Sequence, residues 1–175
     1  ILAREDLELA DPVRGLPGEP AELEARWIEA TVDGIRVASV YVPNGRAIGT
    51  EFFEGKLAFL DAATARAAVL HEGGPLVIAG DMNVAPADID VYDPVAFVGE
   101  THVTSDERSR LERLLDTGLV DAYRRVHPDE VGYTWWEYRA GHFHRGMGLR
   151  IDLALVSPDL AERGIECGID RTPQA

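Results

Sequence analysis

Strands and helices follow one another in this sequence without a strict β-α-β alternation, which predicts an α+β fold or a layered sandwich. Three observations carry that prediction. Two apolar, β-branched runs at 27–32 and 35–42 flank Asp33-Gly34, the dipeptide of a two-residue hairpin turn. Residues 50–71 place Phe53, Leu57, Leu60, Ala67 and Leu70 near 3.6-residue spacing, the mark of an amphipathic helix. Neither a glycine-rich phosphate loop nor a dinucleotide fingerprint occurs.

The remaining elements follow in order. Residues 8–24 are acidic and rich in Pro and Gly, which predicts a surface loop. The second hairpin strand is apolar on both faces, as a buried inner strand should be, and ends at Pro43-Asn44-Gly45. Gly73-Gly74-Pro75 stops the long helix. Leu76-Val77-Ile78-Ala79 is a short buried strand running into Gly80-Asp81-Met82-Asn83, and 85–99 reads as a long loop. Thr104-Ser105-Asp106-Glu107 is a capping box that opens a helix ending near Gly118. Residues 119–126 read as a second helical segment, and 133–148 as an aromatic, basic loop around a short strand. Leu149 to Val156 reads as one strand, and Ile165 to Ile169 as another. Ile1-Leu2-Ala3 reads as the inside of a strand, and residues 171–175 bring no closing element. A single catalytic domain over 1–175, incomplete at both ends, is therefore expected.

Composition narrows the function classes. The 175 residues are 46% hydrophobic and 27% charged, which excludes a disordered tail or a collagen-like fibre. No apolar run reaches the roughly 18–20 residues of a membrane span. A formal net charge of −14 argues against histone-like, charge-driven DNA binding. It does not exclude a nuclease, whose acidic site needs a metal. Cys167 is the only cysteine, so no internal disulfide can form and a reducing cytoplasm fits.

Four places could carry chemistry. If the chain stays extended through Gly80-Asp81-Met82-Asn83, Asp81 and Asn83 share a face at a strand's end. Their oxygen ligands suit Mg²⁺ or Mn²⁺ rather than zinc. The bland alternative is a turn capping the strand. Asp152 is a carboxylate inside an apolar strand, either paired with Arg150 two residues away or set at a site. Tyr41 ends a buried strand, where a tyrosine can reach solvent. The segment Thr134-Trp135-Trp136-Glu137-Tyr138-Arg139, with His142, His144 and Arg145 after it, reverses the local charge. Aromatics interleaved with arginines suit stacking on bases and pairing with phosphates. His142 and His144 lack a third nearby ligand for a metal. His71, His102 and His127 read as helix-end or loop residues, and Cys167 as buried and inert.

The segments 40–45, 80–83, 118–121, 134–139 and 149–153, in this order, resemble the endonuclease/exonuclease/phosphatase superfamily. Within it they are most similar to the bacterial exodeoxyribonuclease III, DNA-repair branch. The resemblance implies a DNase I-like, four-layer α/β sandwich of two packed mixed sheets with the site at one edge. It implies Mg²⁺-dependent hydrolysis of DNA phosphodiesters, 3′→5′ on duplex ends and at abasic sites, by a cytoplasmic, nucleoid-associated monomer. Asp81 would activate or orient the attacking water. Asn83 would bind phosphate or metal, and Tyr41 would contact the phosphate or leaving oxygen. Asp152 would hydrogen-bond within the site. Trp135, Trp136 and Arg139 would lie along the DNA, with Asn44 nearby. It also implies further ligands before Ile1, and an Asp and a His after Ala175. Two alternatives stay open: a superfamily phosphoesterase acting on RNA or phospholipid, and a non-catalytic relative that binds DNA or a partner.

Overall fold

The computed structural model describes residues 1–19, 24–137 and 141–170. A six-stranded mixed sheet forms its frame. In chain order the strands are β1 (Leu9–Arg14), β2 (Trp27–Val32), β3 (Ile35–Tyr41), β4 (Leu76–Asp81), β5 (Val120–Asp121) and β8 (Asp152–Val156). Their spatial order is β1-β2-β3-β4-β8-β5. A two-stranded ladder pairs β6 (Trp135–Trp136) with β7 (Gly148–Leu149). The helices are α1 (Glu51–Glu72), α2 (Ser105–Leu115), α3 (Ala122–Val126) and α4 (Pro158–Ala161). No helix among the described residues is long and apolar enough to cross a membrane.

The β2-β3 hairpin forms as its sequence predicts. Asp33 and Gly34 both take positive φ, 47° and 80°, the geometry of a turn that matches the twist of its strands. From β3 the chain crosses through α1 into β4, which lies parallel to β3. Thr50 caps α1, accepting a hydrogen bond from the Phe53 N–H. The capping box at Thr104 and Glu107 opens α2.

One large core lies between the sheet and these two helices. Phe59, Leu60, Ala63 and Ala67 of α1 and Leu111 and Leu114 of α2 cover Val40, Ile78, Leu153 and Leu155. Each of the larger side chains, Val, Leu, Ile or Phe, contributes about 1.5–3 kcal/mol by leaving water. Glu29 of β2 is fully buried in this layer. It is held by the Trp27 indole N–H at 3.0 Å, by Arg36 at 2.7 Å and by Arg66 of α1.

Five local expectations are corrected. Part of 8–24 is strand β1, a sheet edge with a register shift between Ala10 and Val13; Pro12 sits at that irregularity, where prolines are tolerated. Residues 120–121 are strand β5, so only 122–126 of the second helical segment are helix. The expected strand 149–156 is two strands in different sheets. It breaks at Arg150-Ile151, because Arg150 turns into buried carboxylates while the Ile151 carbonyl accepts from the Met82 N–H. No strand forms at 165–169; the Cys167 carbonyl is taken by the His127 ring, and Ile165 and Cys167 pack on Val156 and Leu160. Residues 1–3 form no strand, and Leu2 is fully exposed.

Candidate active site

The parallel register of β3 and β4 sets Tyr41 opposite Asp81, and the antiparallel register of β4 and β8 sets Asp81 opposite Asp152. Three polar residues from three adjacent strands thus form one row where those strands begin or end. Tyr41 and Asp152 are exposed, and Asp81 is half-buried between them. Gly80 makes the close packing of this row feasible. It takes φ 147°, and a Cβ there would sit 1.9 Å from the Val40 carbonyl oxygen.

Asn83 does not reach the row by extended backbone, as the sequence pattern suggested. The chain leaves β4 at Asp81 and turns, and Asn83 takes a left-handed φ of 51°. Its N–H donates to Asp81 Oδ1 at 2.8 Å. An Asx turn therefore brings Asp81 and Asn83 together. The Asn83 amide nitrogen donates to the Val42 carbonyl at 2.8 Å, and its Oδ1 accepts from Asn44 Nδ2 at 3.3 Å. Asn44, exposed in the loop after β3, also reaches the His102 ring at 3.4 Å. Both of its amide hydrogens thus point inward.

A buried cation sits behind this turn. Lys56, the only lysine, is fully buried on α1. Its Nζ donates to the carbonyls of Asn83 (2.7 Å) and Asn44 (3.3 Å), to Thr101 Oγ1 (3.2 Å) and to Glu107 of α2. Burial pulls the Lys56 pKa down, against the pull of Glu107. Burial works the other way on Glu107, but Lys56 and the hydrogen bonds outweigh it and keep that carboxyl below its ordinary range.

The electrostatics single out the carboxylate row. Buried Glu29, Asp90 and Glu107 are each paired with a cation. Among the described residues neither Asp81 nor Asp152 has such a partner. Burial, with the Asp152 charge adding to it, pushes the Asp81 pKa up to about 6. Arg150 does not pair with Asp152. Its guanidinium, 1% exposed, bonds Asp90 at 2.6 Å and Asp121 at 2.8 and 3.2 Å. Of the two readings open for Asp152, the Arg150 pair is excluded.

The aromatic segment docks beside this row. Thr134 Oγ1 accepts the N–H groups of both Ile151 and Asp152, at 3.1 and 3.0 Å, which ties the segment to the start of β8. Trp136 packs edge-on against Phe143 and shares a cleft of about 370 Å³ with Tyr133, Thr134 and Asp152. Trp135 is half-exposed, with its ring 6.4 Å from that of His102. Arg139 lies outside the described residues.

The site thus gathers Tyr41, Asp81, Asn83, Asp152, Asn44, Trp135 and Trp136. It also contains Thr134, read from sequence only as the start of the aromatic segment, and Lys56, Glu107 and His102, to which the sequence reading gave no site role. Lys56 carried one signal, as an isolated lysine in a helix face otherwise read as apolar. His102 carried none.

The residues fit a hard divalent cation in part. Adjacent carboxylates without a cationic partner, with an amide oxygen beside them, make an oxygen donor set of the kind Mg²⁺ takes. Among the described residues no group of three or more His, Cys, Asp or Glu could hold a metal, so the protein donors are few.

Comparison with known proteins bears on this arrangement. Residues 7–173 match the model of the Endonuclease/Exonuclease/phosphatase family. An exodeoxyribonuclease of Bacillus subtilis is 35% identical over 152 residues, covering 86% of this chain and 60% of the relative. Exodeoxyribonuclease III of Haemophilus influenzae is 31% identical over 169 residues, covering 89% and 63%. Among solved structures, an AP endonuclease from Archaeoglobus fulgidus superposes with a TM-score of 0.89 at 38% identity, over 95% of this chain and 65% of that one. A 3′-5′ exonuclease from Neisseria meningitidis superposes with a TM-score of 0.84 at 43% identity, over 88% and 60%. The chain spans 60 to 65% of the length of these four proteins. With the fold superposing on these structures and residues 7–173 matched by the family model, the chain belongs to the Endonuclease/Exonuclease/phosphatase family.

Proposed function

We propose that the protein is a Mg²⁺-dependent DNA-repair nuclease that hydrolyses DNA phosphodiesters at abasic sites and from 3′ ends. One observation carries the reading. Tyr41, Asp81 and Asp152 stand in register on three adjacent strands, next to the Asp81–Asn83 turn. The choice of DNA draws on the exodeoxyribonucleases and AP endonuclease to which the chain is similar, and on the aromatic segment beside the row.

Phosphodiester hydrolysis requires an oriented water, stabilisation of charge on the phosphoryl oxygens and a stabilised leaving oxygen. A divalent cation bound by Asp81 and Asn83 would supply positive charge at the phosphate. Asp81 is suited to orient and deprotonate the water, because a carboxylate with a pKa near 6 is ionised at neutral pH yet basic enough to take a proton. The Tyr41 hydroxyl is free to donate toward phosphate or leaving oxygen from its exposed strand end. Asn83 keeps one amide hydrogen beyond the one given to Val42, and that hydrogen can meet a phosphate oxygen. Asp152, held through its N–H by Thr134, would hydrogen-bond within the site and raise the basicity of Asp81. Asn44, Trp135, Trp136 and Arg139 would line the path of the DNA. All of these belong to one chain, which suits a monomer, and a DNA substrate would suit work at the nucleoid in the cytoplasm.

The test is cleavage by the natural protein carrying this chain. Labelled duplexes with an abasic site or a recessed 3′ end, an RNA duplex and a phosphoinositide are assayed with millimolar Mg²⁺ and with EDTA. The expected result is Mg²⁺-dependent cutting of the DNA substrates, lowered by at least about 10²–10⁴-fold in Asp81→Ala. Preferential cutting of RNA or lipid, or near-normal turnover by Asp81→Ala, would overturn the reading.

A further inference from the structure

Lys56 lies in the first half of α1 with its side chain wholly out of water. An ammonium group is almost never buried in this way unless oxygen atoms surround it. Four surround it here. Nζ donates to the Asn83 carbonyl at 2.7 Å, to the Asn44 carbonyl at 3.3 Å, to Thr101 Oγ1 at 3.2 Å and to Glu107 Oε1, sharing its three hydrogens among them. These oxygens come from the loop after β3, the turn after β4, the loop before α2 and α2 itself. The chain also packs on the lysine stem. Gly45 takes φ 83°, and a Cβ there would sit 2.8 Å from Lys56 Cδ, so a glycine is what lets the loop after β3 rest on this side chain.

Glu107 fixes the far side. Its Oε2 accepts from the Thr104 N–H at 3.0 Å and the Thr104 hydroxyl at 2.7 Å, closing the capping box of α2. Its Oε1, beside the ammonium, accepts from the Thr101 hydroxyl at 2.8 Å and the His102 N–H at 2.9 Å. One carboxylate thus starts a helix and holds the lysine. Stability alone does not account for the pair. Two charges taken out of water lose hydration that their attraction only roughly offsets, and apolar residues of similar volume often hold a fold as well. An apolar residue cannot, however, draw two main-chain carbonyls toward one point. These two carbonyls belong to Asn44 and Asn83, whose side chains meet at 3.3 Å beside Asp81.

We propose that Lys56 is a positioning residue of the nuclease site: its ammonium clamps the loops after β3 and β4 through the Asn44 and Asn83 carbonyls, and so sets where their side-chain amides stand. This rests on the nuclease reading above. The grip on the Asn83 carbonyl holds the turn in which the Asn83 N–H bonds Asp81 Oδ1. The grip on the Asn44 carbonyl brings the Asn44 amide against Asn83 Oδ1. Glu107 ties the clamp to α2. The relative position of the two loops is therefore set by two packed helices rather than by the loops themselves.

The experiment compares the natural protein carrying this chain with the double variant Lys56→Met, Glu107→Gln, with Lys56→Arg and with Asp81→Asn. The double variant removes both charges at once, so no lone ion is left buried, and a glutamine can still close the capping box. Its melting temperature should stay close to that of the parent. Its kcat on the DNA duplex that the parent cuts faster should fall about 10- to 100-fold, the scale of a misplaced catalytic group, while its duplex Kd changes by less than about threefold. Lys56→Arg keeps a cation with several N–H donors and should recover part of kcat. In an Asn83→Ala background the double change should add little further loss. NMR of the parent should detect a coupling through the hydrogen bond from Lys56 ¹⁵Nζ to the Asn83 carbonyl carbon, a signal that Lys56→Arg removes. If the double variant melts like the parent and cuts as fast while Asp81→Asn is inactive, the positioning role is overturned and the nuclease reading stands. If Asp81→Asn also cuts normally, the nuclease reading itself fails. Should the double variant not fold, Lys56→Arg decides, and parental kcat together with no coupling from Nζ to the Asn83 carbonyl would overturn the role.

Discussion

Asp81 holds its place at a cost in stability, and the sign of that cost is testable. Its folded pKa is about 6 against an ordinary 3.8, so the folded state binds the proton more tightly than the unfolded chain does. The stability tied to that proton is fully present below about pH 3.8 and is lost as pH rises through about 6. In metal-free protein at pH 8 the ionised carboxylate is therefore a liability. Asp81→Asn keeps an acceptor for the Asn83 N–H and removes the charge. It should raise the melting temperature in EDTA at pH 8, with the gain vanishing near pH 4, as a thermal melt at both pH values would read. No gain at pH 8 would mean that another group already neutralises Asp81. Arg150 is the opposite case, a buried charge that is fully paired. Arg150→Met leaves Asp90 and Asp121 facing each other without their cation, although Arg124 still reaches Asp90 at 2.6 Å. A loss of about 3–5 kcal/mol in urea denaturation is expected.

At the scale of elements, the β3-β4 seam decides whether the row of site residues forms. Gly80→Ala would drive a methyl group to 1.9 Å from the Val40 carbonyl oxygen, which is backbone and cannot step aside as a side chain would. The strands would have to separate, so a loss of about 3 kcal/mol or more is expected in a denaturant melt, with activity falling in parallel. A soluble, stable Gly80→Ala protein would show that this seam is more compliant than its geometry implies. The sequence made the hairpin, both long helices and β4 legible, because each rests on a local signal: a turn dipeptide, a capping residue or a run of apolar residues. It did not reveal that 149–156 divides between two sheets. The division is decided by Asp90 and Asp121, 60 and 29 residues away from Arg150, and no window of sequence contains those contacts. The site divides the same way. Tyr41 and Asp81 end strands visible in the pattern, and Asn83 follows in a turn, the second of the two backbones the pattern allows there. His102 and Thr134 join the site through hydrogen bonds to distant backbone groups, for which no spacing rule exists.

Across the whole molecule the formal charge is −14, and at the site two carboxylates stand adjacent with no cationic partner among the described residues. Both features would draw Mg²⁺, but in distinguishable ways. Diffuse screening of an acidic protein depends on ionic strength and not on particular residues. Binding at Asp81, with Asn83 as its second ligand and Asp152 alongside, would stabilise only the folded state, by about 2.7 kcal/mol when free Mg²⁺ exceeds its Kd a hundredfold. The check is a thermal melt over a Mg²⁺ titration at constant ionic strength, set by NaCl, with EDTA as the zero point. The unmodified protein should gain several degrees and lose them on chelation. The double variant Asp81→Asn, Asp152→Asn should start higher in EDTA, because the repulsion is gone, and should not respond to Mg²⁺. It stays strongly acidic, so diffuse screening would act on it almost undiminished. An equal Mg²⁺ response in both proteins would place the cation elsewhere on the acidic surface and remove the metal from the carboxylate row.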